Sequence, residues 1–168
     1  MNLRTFALLR PGLNFHWIID GTLGGSRGPS SRADLLKLKK KGIGALVRLV
    51  EPHESRLTGN KIRETGLEDY NEPVKDHTAP TPQQIDSIIQ YIDEHLVAGV
   101  PVNVSCNAGI GRSGTVLACY LVHQGLTTKD ALKTVNEKRG IAPDTTLHRN
   151  REQINAIETY RRRELPHD

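Results

Sequence analysis

With two cysteines in 168 residues, the chain has no disulfide framework to lean on, so its stability must come from a packed core and its expected compartment is the reducing cytoplasm. It also lacks long apolar runs: none approaches the roughly 20 residues that a membrane-spanning helix needs. The opening Met1–Arg10 has a short apolar patch but no small-residue cleavage site, which argues against a signal peptide. Internal repeats, low-complexity tracts and linkers are missing too, so the expectation is one domain over residues 1–168, with its core at about 14–163.

Charge is similarly sparse. The net charge of +4 can steer anionic substrates, but it is too small and scattered to suggest nucleic acid. The one dense basic run, Arg161-Arg162-Arg163, closes an expected helix, where cations complement the dipole. The histidines His53, His77, His123, His148 and His167 show no metal-ligand spacing on a shared element, so neither a metal nor a cofactor is expected.

What is present alternates between strand and helix signals. Residues 16–25 read as a strand pair or a strand and turn. Ser31 caps a helix running to Lys41, and Ala45–Val50 is a buried strand broken only by Arg48. Residues 51–66 are poorly patterned, with a turn or two of helix near Lys61. Leu67–Val74 returns to the sheet. Thr81-Pro82-Gln83-Gln84 then opens a helix whose inner face is Ile85, Ile88, Ile89, Ile92 and Leu96. A helix over Asp130–Arg139 turns Leu132 and Val135 inward, and a last one over Thr146–Arg163 turns in Ile154 and Ile157. The fold class is therefore α/β, a central, mainly parallel sheet flanked by helices.

The chemistry concentrates in Val102–Gly114. Val100, Val102 and Val104 alternate as a strand, an apolar helical run follows from Val116 to Val122, and Cys106, Gly109, Gly111 and Arg112 occupy the turn between them. The first N–H groups of a helix are unpaired and lie at the positive end of its dipole. Glycines let Asn107, Ala108, Gly109, Ile110 and Gly111 curl their N–H groups around an anion. Arg112 offers a bidentate fork to phosphate oxygens, and the same positive field favours a thiolate at Cys106. These residues form an anion cradle with a nucleophile in it.

The run Cys106-x5-Arg112-Ser113, with Ala108-Gly109-x-Gly111 inside it, resembles the signature loop of cysteine-dependent protein tyrosine phosphatases, most closely the small dual-specificity branch. The resemblance extends to Asn14-Phe15-x-Trp17 with Gly24-Gly25, to Pro73-Val74-Lys75-Asp76, and to Ala118-Cys119-Tyr120-Leu121, so it covers about residues 14–160. It implies a tyrosine-phosphatase-like fold, a single catalytic domain, and metal-independent hydrolysis of phosphomonoesters through a phosphocysteine. The implied substrate is phosphotyrosine, with phosphoserine and phosphothreonine beside it, in a protein or peptide bound by a monomer. No nucleic acid or membrane partner is implied.

A poor leaving group needs a proton, so a carboxylic acid must stand opposite the thiolate. Asp76 is the candidate, on a loop that precedes Thr78–Pro82 and at the family's acid position; Glu68, Asp69 and Glu72 compete from the preceding strand. Ser113 matches the family's hydroxyl on the departing thiolate, with simple helix capping as the other reading. Gln153 matches a glutamine that some members use near the site, with a surface glutamine as the other reading. Cys119 reads as core, with a redox partnership with Cys106 as the other reading. Two departures stand out. Ser105 replaces the usual histidine, and the loop interior carries no lysine, unlike inositide-directed relatives. A phosphate-ester-binding module without turnover, and sulfur transfer of the rhodanese kind, are the competing functions.

Overall fold

The computed structural model describes residues 12–140 and 150–165. Its sheet has five strands: β1 (His16–Ile19), β2 (Leu23–Arg27), β3 (Ala45–Arg48), β4 (Glu68–Asn71) and β5 (Val102–Cys106), in the spatial order β1-β2-β5-β3-β4. β1 and β2 form an antiparallel hairpin, whereas β2–β5, β5–β3 and β3–β4 are parallel. The mainly parallel sheet read from the sequence is thus present, with one antiparallel edge. Around it lie α1 (Arg32–Lys40), α2 (Gly59–Arg63), α3 (Pro82–Val97), α4 (Gly111–His123), α5 (Thr128–Arg139) and α6 (Arg151–Glu164).

Both faces of the sheet are covered, which is why β3 and β5 are buried at every position. Alternation along β3 assigns the faces. Ala45 and Val47 join a core with Ile88 and Ile92 of α3 and Leu117 of α4, while Leu46 points to the other side, against Leu35, Leu38 and Ile62. Each fully buried Leu or Ile contributes about 1.5–3 kcal/mol of transfer free energy. The one polar break, Arg48, is only 5% exposed. Its Nε and Nη2 donate to Asp69 Oδ1 and Oδ2 at 2.6 and 2.9 Å, and its Nη1 donates to Ser55 Oγ at 3.1 Å. A buried charge is tolerable when paired and hydrogen-bonded in this way.

The helix starts follow their capping chemistry. Ser31 caps α1, Thr58 caps α2, Thr127 caps α5, and Thr81 with Gln84 closes a reciprocal capping box on α3. The last helix differs from the sequence reading. Residues 146–149 of its expected start lie outside the described residues, and the described helix begins at Arg151, where Asn150 Oδ1 accepts from Gln153 N–H at 3.1 Å. Its buried face is Gln153, Ile157 and Tyr160, with Ile154 only half-buried. The central helix α4 is buried from Arg112 through Val122. It follows β5 directly, so its N-terminus sits at the carboxyl edge of the parallel strands, where open α/β sheets place ligands.

Candidate active site

β5 ends on Cys106 and α4 begins at Gly111, so four residues make the loop between them. Ile110 is the N-cap and supplies no side-chain acceptor, which leaves the first N–H groups of α4 facing the loop interior. Gly109 has φ +73°, and a Cβ there would collide with the Ser26 backbone carbonyl. This turn requires glycine. It lets the Gly109 N–H donate to Cys106 Sγ at 3.2 Å. Ser113 Oγ approaches the same sulfur at 3.4 Å, so Ser113 is turned to the thiol and does not cap the helix. Cys106 is buried, with 2% exposure.

Arg112 is as buried as the thiol, and its fork is held from behind. Nη1 and Nη2 donate to Glu54 Oε2 and Oε1, both at 2.7 Å, and Nη1 also donates to the Val74 carbonyl at 2.8 Å. Burial alone would lower the guanidinium's pKa, but the Glu54 bonds and the Cys106 charge outweigh it and raise the value. The Arg112 hydrogen bonds in turn hold the Glu54 carboxyl below its ordinary value. With Nη1 committed, Nε and the second Nη2 hydrogen are the donors left for an oxyanion.

Nη2 also forms an ion pair with Asp76, whose Oδ1 lies 3.3 Å away. Asp76 is half exposed, and its Oδ1 also accepts from the His77 backbone N–H at 2.9 Å. His77 itself has φ +61°, a left-handed conformation that costs a non-glycine residue about 1–2 kcal/mol. The start of α6 holds this loop. Asn150 Nδ2 donates to His77 O at 2.8 Å, Gln153 Nε2 donates to Thr78 O at 3.0 Å, and Glu152 Oε1 accepts from Ala79 N–H at 3.2 Å.

The competing carboxylates are engaged elsewhere. Asp69 pairs with Arg48, Glu68 lies 3.0 Å from His95 Nε2, and Glu72 accepts from Tyr70 and Gln84. Of the four acids, Asp76 alone lines the cavity of about 460 Å³ shared with Cys106, Ile110, Arg112 and Gln153. Gln153 is 2% exposed and packs against Gly111, which corrects the surface reading of that residue.

Ser105 faces away from this cavity. It lines a second one of about 500 Å³, on the opposite side of the loop, with Arg27, Arg48 and Ser55. Cys119 is fully buried in the core, and burial pushes its thiol pKa far up. Ligand atoms of Glu51, His53 and Glu54 lie within 4.8 Å of one another, but both Glu54 oxygens are committed to Arg112. Glu54, Asn150 and Glu152 were not legible as site residues. Glu54 lies in a stretch without periodicity, and in the last helix the inward signal is the spacing of Ile154 and Ile157, which does not single out Asn150 or Glu152. Only the requirement that a buried arginine have an acid partner foretells Glu54.

A family model described as Tc-R-P, polymorphic toxin system, DSP-PTPase phosphatase, matches residues 24–126. The chain is 31% identical over 137 residues to the phosphatidylglycerophosphate phosphatase PTPMT2 of Arabidopsis thaliana, covering 80% of this chain and 58% of that protein. It is 30% identical over 132 residues to the protein tyrosine phosphatase PRL-1 of Leishmania major, covering 71% of this chain and 73% of that one. The chain thus spans 58% of the PTPMT2 relative's length, and 34% of a second Arabidopsis relative, PTPMT1. The crystal structure of Tk-PTP in its active form superposes with a TM-score of 0.80 at 31% identity, covering 89% of this chain and 97% of that one. The chain belongs to the DSP-PTPase phosphatase family, the small dual-specificity branch of the cysteine-dependent tyrosine phosphatases.

Proposed function

We propose that this chain hydrolyses phosphomonoesters through a covalent phosphocysteine. In the first step the Cys106 thiolate forms an S–P bond as the ester P–O bond breaks, and the leaving oxygen takes a proton from the Asp76 carboxylic acid. Arg112 grips the equatorial oxygens through Nε and Nη2, and the N–H groups of Asn107–Arg112 complete the cradle. In the second step water attacks phosphorus, Asp76 takes the water's proton, and the S–P bond breaks to return the thiolate. The Ser113 hydroxyl hydrogen-bonds the departing sulfur without giving up its proton. Gln153 holds the acid loop through Thr78 and lies over Gly111, within reach of the attacking water.

A single observation carries this reading. Cys106 Sγ accepts from the Gly109 N–H, Arg112 lies behind it, and Asp76 touches the arginine from the far side of one cavity. Neither a binding module nor rhodanese-type sulfur transfer gives Asp76 a task. A single phosphate among uncharged neighbours (Asn107, Ala108 and Ile110) suits a phosphotyrosine side chain, with phosphoserine and phosphothreonine beside it. Likeness to a phosphatidylglycerophosphate phosphatase favours a second substrate class, a phosphomonoester on a lipid headgroup.

Turnover of para-nitrophenyl phosphate in EDTA, lost in Cys106→Ser, is the expected result. Phosphate release that survives this substitution in a pure preparation would assign the attack to another group. A panel of phosphopeptides and dispersed phosphatidylglycerophosphate then separates the two substrate classes by kcat/KM.

A further inference from the structure

Arg112 is not the one buried cation close to Cys106. Arg112 is matched by Glu54 in a bidentate pair, and Asp76 brings a second carboxylate to the same fork. The histidine that the family places before the nucleophile is absent, with Ser105 in its position. The helix terminus and the Gly109 N–H remain, but the guanidinium of Arg112 is already paired with the Glu54 carboxylate.

Arg139 is the last residue of α5. It is 3% exposed. Its Nη1 donates to Ser113 Oγ at 3.4 Å, and that oxygen is 3.4 Å from Cys106 Sγ. Among the described residues Nε and Nη2 have no hydrogen-bond partner. The guanidinium lies along β2 at Gly25, where a Cβ would stand 3.7 Å from Arg139 Cζ, in ordinary contact. A buried cation with unmatched donors is costly unless an anion lies close. The Lys138–Asp20 pair beside it on α5 is exposed. Among the described residues, the cations that feel the Cys106 charge are Arg112 on α4, paired with Glu54 and Asp76, and Arg139 on α5.

We infer that Arg139 is a positioning residue for the nucleophile, a buried cation that holds Ser113 as a donor to Cys106 and balances the thiolate in place of the missing histidine. The electrostatics agree. Burial lowers the Arg139 pKa to about 10, against the opposing pull of the Cys106 charge, so the side chain remains cationic at neutral pH. By linkage, the free energy that the thiolate returns to the guanidinium equals that which the guanidinium gives to the thiolate. Ser113 accepts from Arg139, which directs its own hydrogen toward sulfur. The serine is thereby fixed as a donor to the attacking and departing thiolate.

The inference rests on Cys106 being the nucleophile, so the test reads the thiol itself as well as turnover. The pH dependence of iodoacetamide alkylation at Cys106 is compared between the native chain, Arg139→Met and Arg139→Lys, with melting temperature recorded for each. Arg139→Met is expected to raise the alkylation midpoint by about one pH unit, the lower end of shifts caused by a nearby opposite charge. Arg139→Lys keeps the charge and should move it less than half as far. Because nucleophilicity rises with thiol basicity, the more basic thiolate regains about threefold in intrinsic rate. Below both midpoints the net slowing should therefore be about threefold.

A midpoint unmoved in folded Arg139→Met, or moved equally by Met and Lys, overturns the inference and leaves Arg139 as packing. If Arg139→Met does not fold, Arg139→Gln decides, since it keeps a polar side chain at that position and removes the charge. A raised midpoint supports the inference and an unmoved one overturns it. Native protein lacking Cys106-dependent para-nitrophenyl phosphate turnover would sink the hydrolase reading alone, because the titration comparison does not depend on turnover.

Discussion

Glu54→Gln tests whether the arginine fork is aimed from behind. Glu54 meets Nη1 and Nη2 of Arg112 at 2.7 Å each, with 8% and 2% side-chain exposure on the two partners. Glutamine keeps the shape but presents one oxygen and one NH₂, so one of the two guanidinium donors faces another donor. Losing one hydrogen bond to a charged group costs about 1.5–3 kcal/mol. The freed Nη2 is already 3.3 Å from Asp76, so it should turn to that carboxylate and resist an incoming phosphate. If the cost falls on the oxyanion complex, kcat/KM for para-nitrophenyl phosphate drops about ten- to hundredfold, since each 1.4 kcal/mol is a factor of ten. Inhibition by a phosphate-mimicking oxyanion should weaken by a similar factor. The assay is run well below the variant's melting temperature, which will fall too because a buried pair has lost a charge. Values of kcat/KM and oxyanion affinity within twofold of native, in a folded variant, would refute the reasoning. They would mean that Val74 and the loop aim Arg112 without Glu54.

The other expectations are independent of that pair. Asp76→Asn should lower turnover of a phosphopeptide by about 10²–10⁴-fold, and that of an activated aryl phosphate far less; equal losses would move the acid elsewhere. Gly109→Ala places a methyl group against the Ser26 carbonyl at a positive φ. It should abolish most turnover while the core stays folded, as read by kcat and circular dichroism; native turnover would show that the loop yields freely. At the far end of α4, burial alone would lower the His123 pKa, but hydrogen bonds to Glu164 and Asp93 outweigh it and raise it. The folded protein therefore binds this proton more tightly than the unfolded chain. The stabilisation is fully present below the unfolded value, about 6.5, and is lost as pH rises through the folded one. Melting temperature should carry a component that declines over that window and is missing in His123→Asn, and an identical pH profile in the two proteins would contradict the assignment.

How much could be read in advance depended on whether a residue's task was local. Cys106, Gly109 and Arg112 act within one strand–turn–helix unit, and each is required by the backbone or charge of its immediate neighbours. That unit was legible, as were the caps at Ser31 and Thr81 and the face formed by Ile85, Ile88, Ile89 and Ile92. Glu54 lies 58 positions from the arginine it holds, in a stretch with no period, and nothing local distinguishes it from Glu51. Gln153 sits on an amphipathic helix at a position whose burial depends on where the Asp76 loop passes, 75 positions earlier. A glutamine read alone goes to the surface, and this one is buried because Thr78 offers a carbonyl and Gly111 leaves space.

Ser105 shows the limit from the other direction. In sequence it registers as a missing histidine, and so as a weakness in the support of the thiolate. In the folded chain it lies on the α1 face of β5, beside Arg48 in the β3 register and lining the second cavity, away from Ser113. Support for the sulfur can come from that face or from the α5 face, and a sequence reports a loss on one without reporting a cation on the other. Arg139 gave no such signal because a basic residue in the last turn of a helix already has an ordinary explanation in the dipole. Its burial against Gly25 and Ser113 is what distinguishes it, and that depends on α5 crossing over the first strands of the sheet.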